Sequence, residues 1–354
     1  MLEKFLEITS SWEFLQQTDL PIVLYGTGNG ADKIVDRFSA LSIDLHGVCA
    51  SDGFVRERSF RGFPVKPISY FKESLQDFVI VVGFGSNRPE LTEAIRKLSK
   101  EYKVLFPCVP VYESPIFDKA FLKMHLKELE TVYALLEDEE SKSVFLDFLK
   151  FQICGDFEDL EHAVSEKDEI FESILKLGKT ESYLDLGAYR GDTIAEFLHY
   201  TDGQYASIWA VEPNKKTFEK LEEFIASQKL SPCKAIHAAI AKGNGILHFS
   251  GDGRHNVMDE NGKIEVPALS VDSLSPPVPF SYIKADVEGL EKEMLLGAKR
   301  TLEENKPKLN LALYHKSQDV FELPLLLKRL VPSYRFYLRK HPGFPFWDLN
   351  LYAL

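Results

Sequence analysis

None of the four cysteines, Cys49, Cys108, Cys154 and Cys233, stands in a CxxC pair. A zinc knuckle and a disulfide framework are therefore not indicated, and buried free thiols are the simpler reading. Long apolar runs are missing too: no segment approaches the ~20 residues of a membrane span. The opening "MLEKFLEITSSWEFLQQ" carries acids in its first turns and no long apolar core, so no export signal is read there. A cytoplasmic location without membrane partners is the expectation. Positive charge is in deficit, with Lys+Arg 42 against Asp+Glu 54 and a formal net charge of -12. Such a surface repels phosphate backbones and argues against a nucleic-acid partner. What is present is ordinary for a globular protein, at 45% hydrophobic and 27% charged residues. A length of 354 residues predicts two domains, each large enough to bury a core.

The chain reads in three parts. Residues 1–110 alternate strand and helix signals, with "PIVLY", "DLHGVCA", "FVIVVGFG" and "KVLFP" as short apolar strands and "GADKIVDRFSAL" and "RPELTEAIRKLSKEY" as helices. A small Rossmann-like parallel sheet is expected there. Residues 111–178 have helical spacing and no strand-like run, and are expected as a helical connector. Strand and helix alternation restarts after that and occupies residues 179–354.

Two glycine turns stand out. In "LYGTGNGADKI", Gly26, Gly28 and Ala31 follow a strand at dinucleotide-fingerprint spacing, and Asp52 follows the next strand. The second, "YLDLGAYRGDTIAEF", has Gly187 and Gly191, with Glu212 after the strand "SIWAV". Glycine lets backbone approach a ligand closely and accepts positive φ at little cost. The second turn also carries an acid on its strand, Asp185, which would oppose a pyrophosphate but pair with a cationic ammonium or sulfonium group. S-adenosylmethionine is such a cofactor. Glu212, at the tip of the second strand, would accept hydrogen bonds from both ribose hydroxyls.

Downstream, "CKAIHAAIAKGNGILHFSGDG" reads as a third strand, a turn and a hairpin, with Ala238 and Ala239 where an adenine edge is expected. "SYIKAD" supplies a fourth strand ending at Asp286, and "KLNLALYHK" a fifth that delivers His315 to the same rim. Two closing strands, "YRFYLRKH" and "DLNLYAL", follow the helix "FELPLLLKRL". Seven strands result.

"LDLGAYRGDT", "WAVEPN", "YIKADVEGLEKEMLLGAKRTL" and "LALYHKSQDVFELP" together resemble the FkbM-type S-adenosylmethionine-dependent methyltransferases. The family's Ile-Lys-Ile-Asp-Val-Glu-Gly stretch stands here as Ile283 to Gly289. The resemblance covers about residues 180–354. It implies an α/β class I methyltransferase sheet of seven strands, usually O-methylation, and acceptors among sugars, polysaccharides and secondary metabolites. By the family pattern Asp185, Gly187, Gly191 and Glu212 would then hold the cofactor, joined by Ala239 from its position beside the expected adenine edge. The chain departs from the family near its end, where Arg339, Lys340 and His341 precede "PGFPFWDL".

For methyl transfer to a hydroxyl, His315 is expected as the base, its intrinsic pKa being near neutrality, with Asp286 as rival base or as the group orienting the hydroxyl. Lys284 is expected in a structural ion pair, and Glu288 as a brace of the following helix. Asp286, Glu288 and His315 suit a divalent cation by ligand type, but the spacing does not demand one, and no metal site is expected. Two other readings compete: a nicotinamide-dependent oxidoreductase or epimerase using the first glycine turn, and a non-catalytic protein that binds a nucleotide sugar. Gly26, Gly28 and Asp52 could hold the nucleotide of a nucleotide-linked acceptor, or simply make a tight turn.

Overall fold

A computed structural model describes residues 1–55, 59–250, 257–258 and 262–354. The chain forms two compact units. The first comprises Met1–Ala134, Glu139–Ser165 and Lys340–Asp348, the second Leu135–Asp138, Glu166–Arg339 and Leu349–Leu354. The helices expected as a connector are thus shared out between the two. Among the described residues no helix is long and apolar enough to cross a membrane.

In the first unit, strands β1 (Ile22–Tyr25), β2 (Gly47–Ala50), β3 (Ser59–Phe60), β4 (Phe63–Pro67), β5 (Val79–Val82) and β6 (Lys103–Leu105) form one sheet in the order β3-β4-β2-β1-β5-β6. All pairings are parallel except the short β3–β4 hairpin. β1, β2 and β5 are buried along their whole length, which is why they read as unbroken apolar runs. Trp12, Ile34 and Phe38 cover the sheet. The segment 340–348 adds the aromatic side chains of Phe344, Phe346 and Trp347 to this unit. Phe344 packs edge-on against Phe84 and Phe106, and Phe346 against Phe148 and Phe151.

The second unit holds β7 (Ser182–Leu186), β8 (Ser207–Val211), β9 (Cys233–Ile236), β10 (Ala239–Ile240), β11 (Gly245–Ser250), β12 (Val257–Met258), β13 (Ile264–Leu269), β14 (Tyr282–Ala285), β15 (Lys308–Ala312) and β17 (Leu349–Ala353), together with most of β16 (Phe336–Lys340). Seven of these strands make the main sheet, in the order β16-β17-β15-β14-β7-β8-β9, and β17 runs antiparallel to β15. Strand order reverses between β7 and β14, the kind of switch point where open α/β sheets bind ligands beyond the strands' carboxyl ends. β10 to β13 form a separate four-stranded sheet. Residues 251–253, the end of the hairpin expected from the sequence, lie outside the described residues.

Helix Asp192–Tyr200 begins at Gly191, whose φ of +90° lets the chain turn sharply out of β7. Helix Lys215–Ser227 follows β8 and is capped by Asn214, whose side-chain oxygen accepts the Thr217 N–H at 3.1 Å. Ile194, Phe197 and Leu221 from these two helices pack with Tyr183 and Tyr282 of the sheet. The packing fixes both strand-to-helix turns at the same sheet edge.

Candidate functional site

Parallel pairing of β14 with β7 sets Lys284 opposite Asp185. The Lys284 ammonium lies 3.7 Å from Asp185 Oδ1 and donates to the Gly187 carbonyl at 3.1 Å. Thr193, in the first turn of the next helix, donates its hydroxyl to Asp185 Oδ2. Asp185 is completely buried, and burial raises its carboxyl pKa against the opposing pull of Lys284. The sequence set this acid opposite a cationic cofactor. In the structure Asp185 holds Lys284 and Thr193, and Lys284 in turn holds the Gly187 carbonyl. The ion pair expected for Lys284 is present.

Gly187 has φ +78°, and a Cβ placed there would lie 1.9 Å from the Asp286 carbonyl oxygen. Only glycine lets the end of β14 pass this close, so the residue is required by a neighbouring strand before any ligand is considered. A Cβ on Gly191 would meet the Phe224 ring at 2.3 Å. These contacts require glycine at both positions whether or not a cofactor lies beside the turn.

Glu212 directly follows β8, with both carboxylate oxygens bound to backbone. Oε2 accepts the Tyr189 N–H at 3.0 Å and Oε1 the Asn214 N–H at 2.8 Å. The residue is 7% exposed, and burial pushes its pKa up to about 7 despite those two hydrogen bonds. A carboxylate has about four acceptor positions, so roughly two remain for outside donors. A ribose diol supplies two such donors. Tyr189, beside it, has φ +46° and a largely exposed ring with the Arg190 guanidinium over it. Ala239 is placed differently: it is buried in β10, paired with Ala268, among Phe249 and Val266.

Asp286 and His315 meet just beyond β14 and β15. His315 Nε2 lies 3.3 Å from Asp286 Oδ1 and 3.5 Å from Glu288 Oε2, while Nδ1 lies 2.8 Å from Glu291 Oε1. The Tyr314 hydroxyl donates to both Asp286 oxygens at 3.1 Å. Burial alone would lower the imidazole pKa, but Glu291, Asp286 and Glu288 outweigh it and push the value up to about 10. A ring so placed is an imidazolium at neutral pH. The expectation of His315 as a base titrating near neutrality is corrected by these three carboxylates. Glu288, expected to brace the following helix, turns back toward His315 with φ +57°. The brace is Glu291, which accepts the Val287 N–H at 2.9 Å.

The first glycine turn is built from protein contacts. A Cβ on Gly26 would lie 2.8 Å from the Phe84 ring and one on Gly30 2.8 Å from the Gly83 carbonyl, whereas Gly28 has open space around it. Asp52 accepts the Ser69 N–H at 3.2 Å. These contacts account for Gly26 and Gly30 by packing against the end of β5.

Residues 185–339 match the family pattern described as Methyltransferase FkbM domain. This segment is an FkbM methyltransferase domain. The match spans β7 to Arg339 and so takes in the glycine turn, Glu212, Asp286 and His315. Methyltransferase FkbM from Methylobacillus flagellatus KT has a similar fold, with a TM-score of 0.70 at 18% identity over 95% of this chain and 90% of that one. The likeness extends through the first unit as well as the FkbM domain. A precorrin-6y C5,15-methyltransferase from Geobacter metallireducens GS-15 covers 54% of this chain and 91% of its own at 12% identity, with a TM-score of 0.34. That likeness is too slight to argue from. No curated protein matches the sequence.

Sequence reasoning missed four residues that shape the FkbM domain's rim: Thr193, Tyr189, Tyr314 and Glu291. For Glu291 a signal existed. It falls three residues after Glu288, at the first turn of helix Glu291–Gly297, which directs its carboxylate back toward the strand ends.

Proposed function

We propose that the protein is an S-adenosylmethionine-dependent O-methyltransferase acting on a hydroxyl of a sugar, polysaccharide or secondary-metabolite acceptor. The observation that carries this reading is the convergence of Glu212, the Gly187–Gly191 turn, Asp286 and His315 at the carboxyl ends of β8, β7, β14 and β15, within an FkbM domain. The residues present suit the cofactor. Glu212 has acceptor capacity left for a ribose diol, and the Gly187 carbonyl is held by Lys284. When bound, S-adenosylmethionine supplies an electrophilic methyl group on a sulfonium. Much of the acceleration then comes from placement. Asp286, partly exposed at the rim, is the group suited to accept a hydrogen bond from the acceptor hydroxyl and to take its proton. His315 and Tyr314 fix the orientation of that carboxylate. The acidic surface favours a small or carbohydrate acceptor, a sugar nucleotide among them, over nucleic acid.

Calorimetric titration of the full chain with S-adenosylhomocysteine and, separately, with NAD and NADP tests the reading. Binding of S-adenosylhomocysteine is expected. Binding of a nicotinamide cofactor with none of S-adenosylhomocysteine would overturn it in favour of an oxidoreductase or epimerase.

A further inference from the structure

We propose that the ring of Tyr189 packs against the ribose of the cofactor as a specificity residue for its nucleoside part, and that it is held there at the expense of the fold's own stability. The role rests on the methyl-transfer reading. Tyr189 stands between Gly187 and Gly191 with φ +46°, a left-handed conformation that costs a bulky residue free energy and that glycine or asparagine adopts far more readily. The chain around it fixes that conformation. The Gly187 and Ala188 N–H groups both donate to the Val211 carbonyl, at 3.0 and 3.1 Å, and the Gly191 N–H donates to the Ala188 carbonyl at 2.9 Å. The Tyr189 N–H itself is tied to Glu212 Oε2 at 3.0 Å. These bonds set the backbone of residue 189 whatever side chain it carries.

Packing does not account for a tyrosine at this place. The residue is 40% exposed and lies outside the buried cluster that Ile194, Phe197 and Leu221 form with Tyr183 and Tyr282. The group over its ring is the Arg190 guanidinium, 5.1 Å from the centroid, and Arg190 is itself exposed. An exposed cation–π contact is too weak to explain a bulky side chain on a strained backbone. The glycines on either side have their reasons inside the protein, in the Asp286 carbonyl and the Phe224 ring. Tyr189 has none of that kind. Strained residues that persist without a packing reason belong characteristically to ligand clamps.

The backbone bond of Tyr189 says which part of the ligand its ring meets. Glu212 holds the Tyr189 N–H on one carboxylate oxygen and the Asn214 N–H on the other, and its remaining acceptor positions are those suited to the ribose diol. A side chain anchored on that carboxylate is carried to the sugar rather than to Asp286 and His315 beyond β14 and β15. An aromatic face covers the C–H side of a sugar ring and removes from water the apolar surface that hydrogen bonds to the diol leave open. Glu212 then reads the hydroxyl edge of the ribose and Tyr189 its apolar face. Arg190, stacked on the ring, restricts its rotation before the ligand arrives.

The test combines calorimetry with S-adenosylhomocysteine and thermal melting of the ligand-free full chain. Tyr189→Asn removes the ring and suits the left-handed backbone, so it should melt above wild type yet bind about tenfold or more weakly. Tyr189→Ala keeps the strain and should lose as much affinity without the gain in melting temperature. Tyr189→Phe keeps the aromatic face and should bind within about threefold of wild type. Methylthioadenosine, which has the nucleoside without the amino-acid part, should lose affinity by the same factor as S-adenosylhomocysteine in the asparagine and alanine variants. Opposite movement of stability and affinity in Tyr189→Asn is the outcome that a structural role would not give. Affinity within about twofold of wild type in both Tyr189→Asn and Tyr189→Ala, a lower melting temperature in Tyr189→Asn, or a loss confined to S-adenosylhomocysteine overturns the proposal. Wild-type protein that binds neither ligand would instead remove the cofactor reading, and the role of Tyr189 with it.

Discussion

Glu291 Oε1 lies 2.8 Å from His315 Nδ1, and both side chains are withdrawn from solvent. The pair ties the first turn of helix Glu291–Gly297 to the end of β15. Because the imidazole pKa is raised to about 10 from an ordinary ~6.5, its contribution to stability is fully present below ~6.5 and is lost as pH rises through about 10. Glu291→Gln should lower the ring's pKa, as read by NMR titration of the His315 ring protons. A ring that titrates unchanged in the variant would show that Glu291 is not the main source of the shift.

Glu212 carries the cofactor assignment. Glu212→Ala removes a charge-assisted acceptor and should weaken S-adenosylhomocysteine by ~1.5–3 kcal/mol in calorimetry. Equal affinity in a folded variant would remove Glu212 from the site.

The same residue predicts a pH dependence. Its pKa is raised to about 7, chiefly by burial, so the stability associated with the neutral form is present below the unfolded value of ~4.3 and is lost as pH climbs through about 7. Between pH 5 and pH 8 the wild type should lose melting temperature relative to Glu212→Gln. Cofactor affinity should move the other way, strengthening as the carboxylate ionises.

The two glycine turns differ in what they tolerate. Gly187→Ala forces a methyl against the Asp286 carbonyl in a left-handed conformation, and should cost about 3 kcal/mol or more of stability. Gly28→Ala meets nothing within 4 Å at φ −98° and should cost less than about 1 kcal/mol. Urea denaturation of both variants checks the contrast.

Lys284→Met strands the buried Asp185 and should destabilise by ~3–5 kcal/mol, with much of the loss recovered in Lys284→Met/Asp185→Asn. Additive losses in that double-mutant cycle would mean that the two groups do not interact.

The centre of the seven-stranded sheet was legible because β7, β8 and β14 are buried on both faces, each ended by glycine or an acid. Short pieces were not. β3 and β10 have two residues each, too few for any periodicity to appear. At the site, strand ends could be aligned by counting residues, and this brought Asp286 and His315 together. Whether a side chain there faces solvent or another carboxylate depends on turns such as Glu288–Gly289, where two successive positive φ values redirect the chain. Sequence spacing carries no trace of that reversal. For the same reason Glu291, rather than Glu288, became the brace, and the ring expected near neutrality acquired three anionic neighbours.

The aromatic segment between β16 and β17 sets an order of assembly. Phe344 and Phe346 complete the core of the first unit, yet in the chain they follow every strand from β7 to β16. During synthesis, residues 1–165 would therefore wait with the faces of Phe84, Phe106, Phe148 and Phe151 uncovered until nearly the whole second unit had been made. A product shortened before Phe344 would fail in its first unit, far along the sequence from the missing residues.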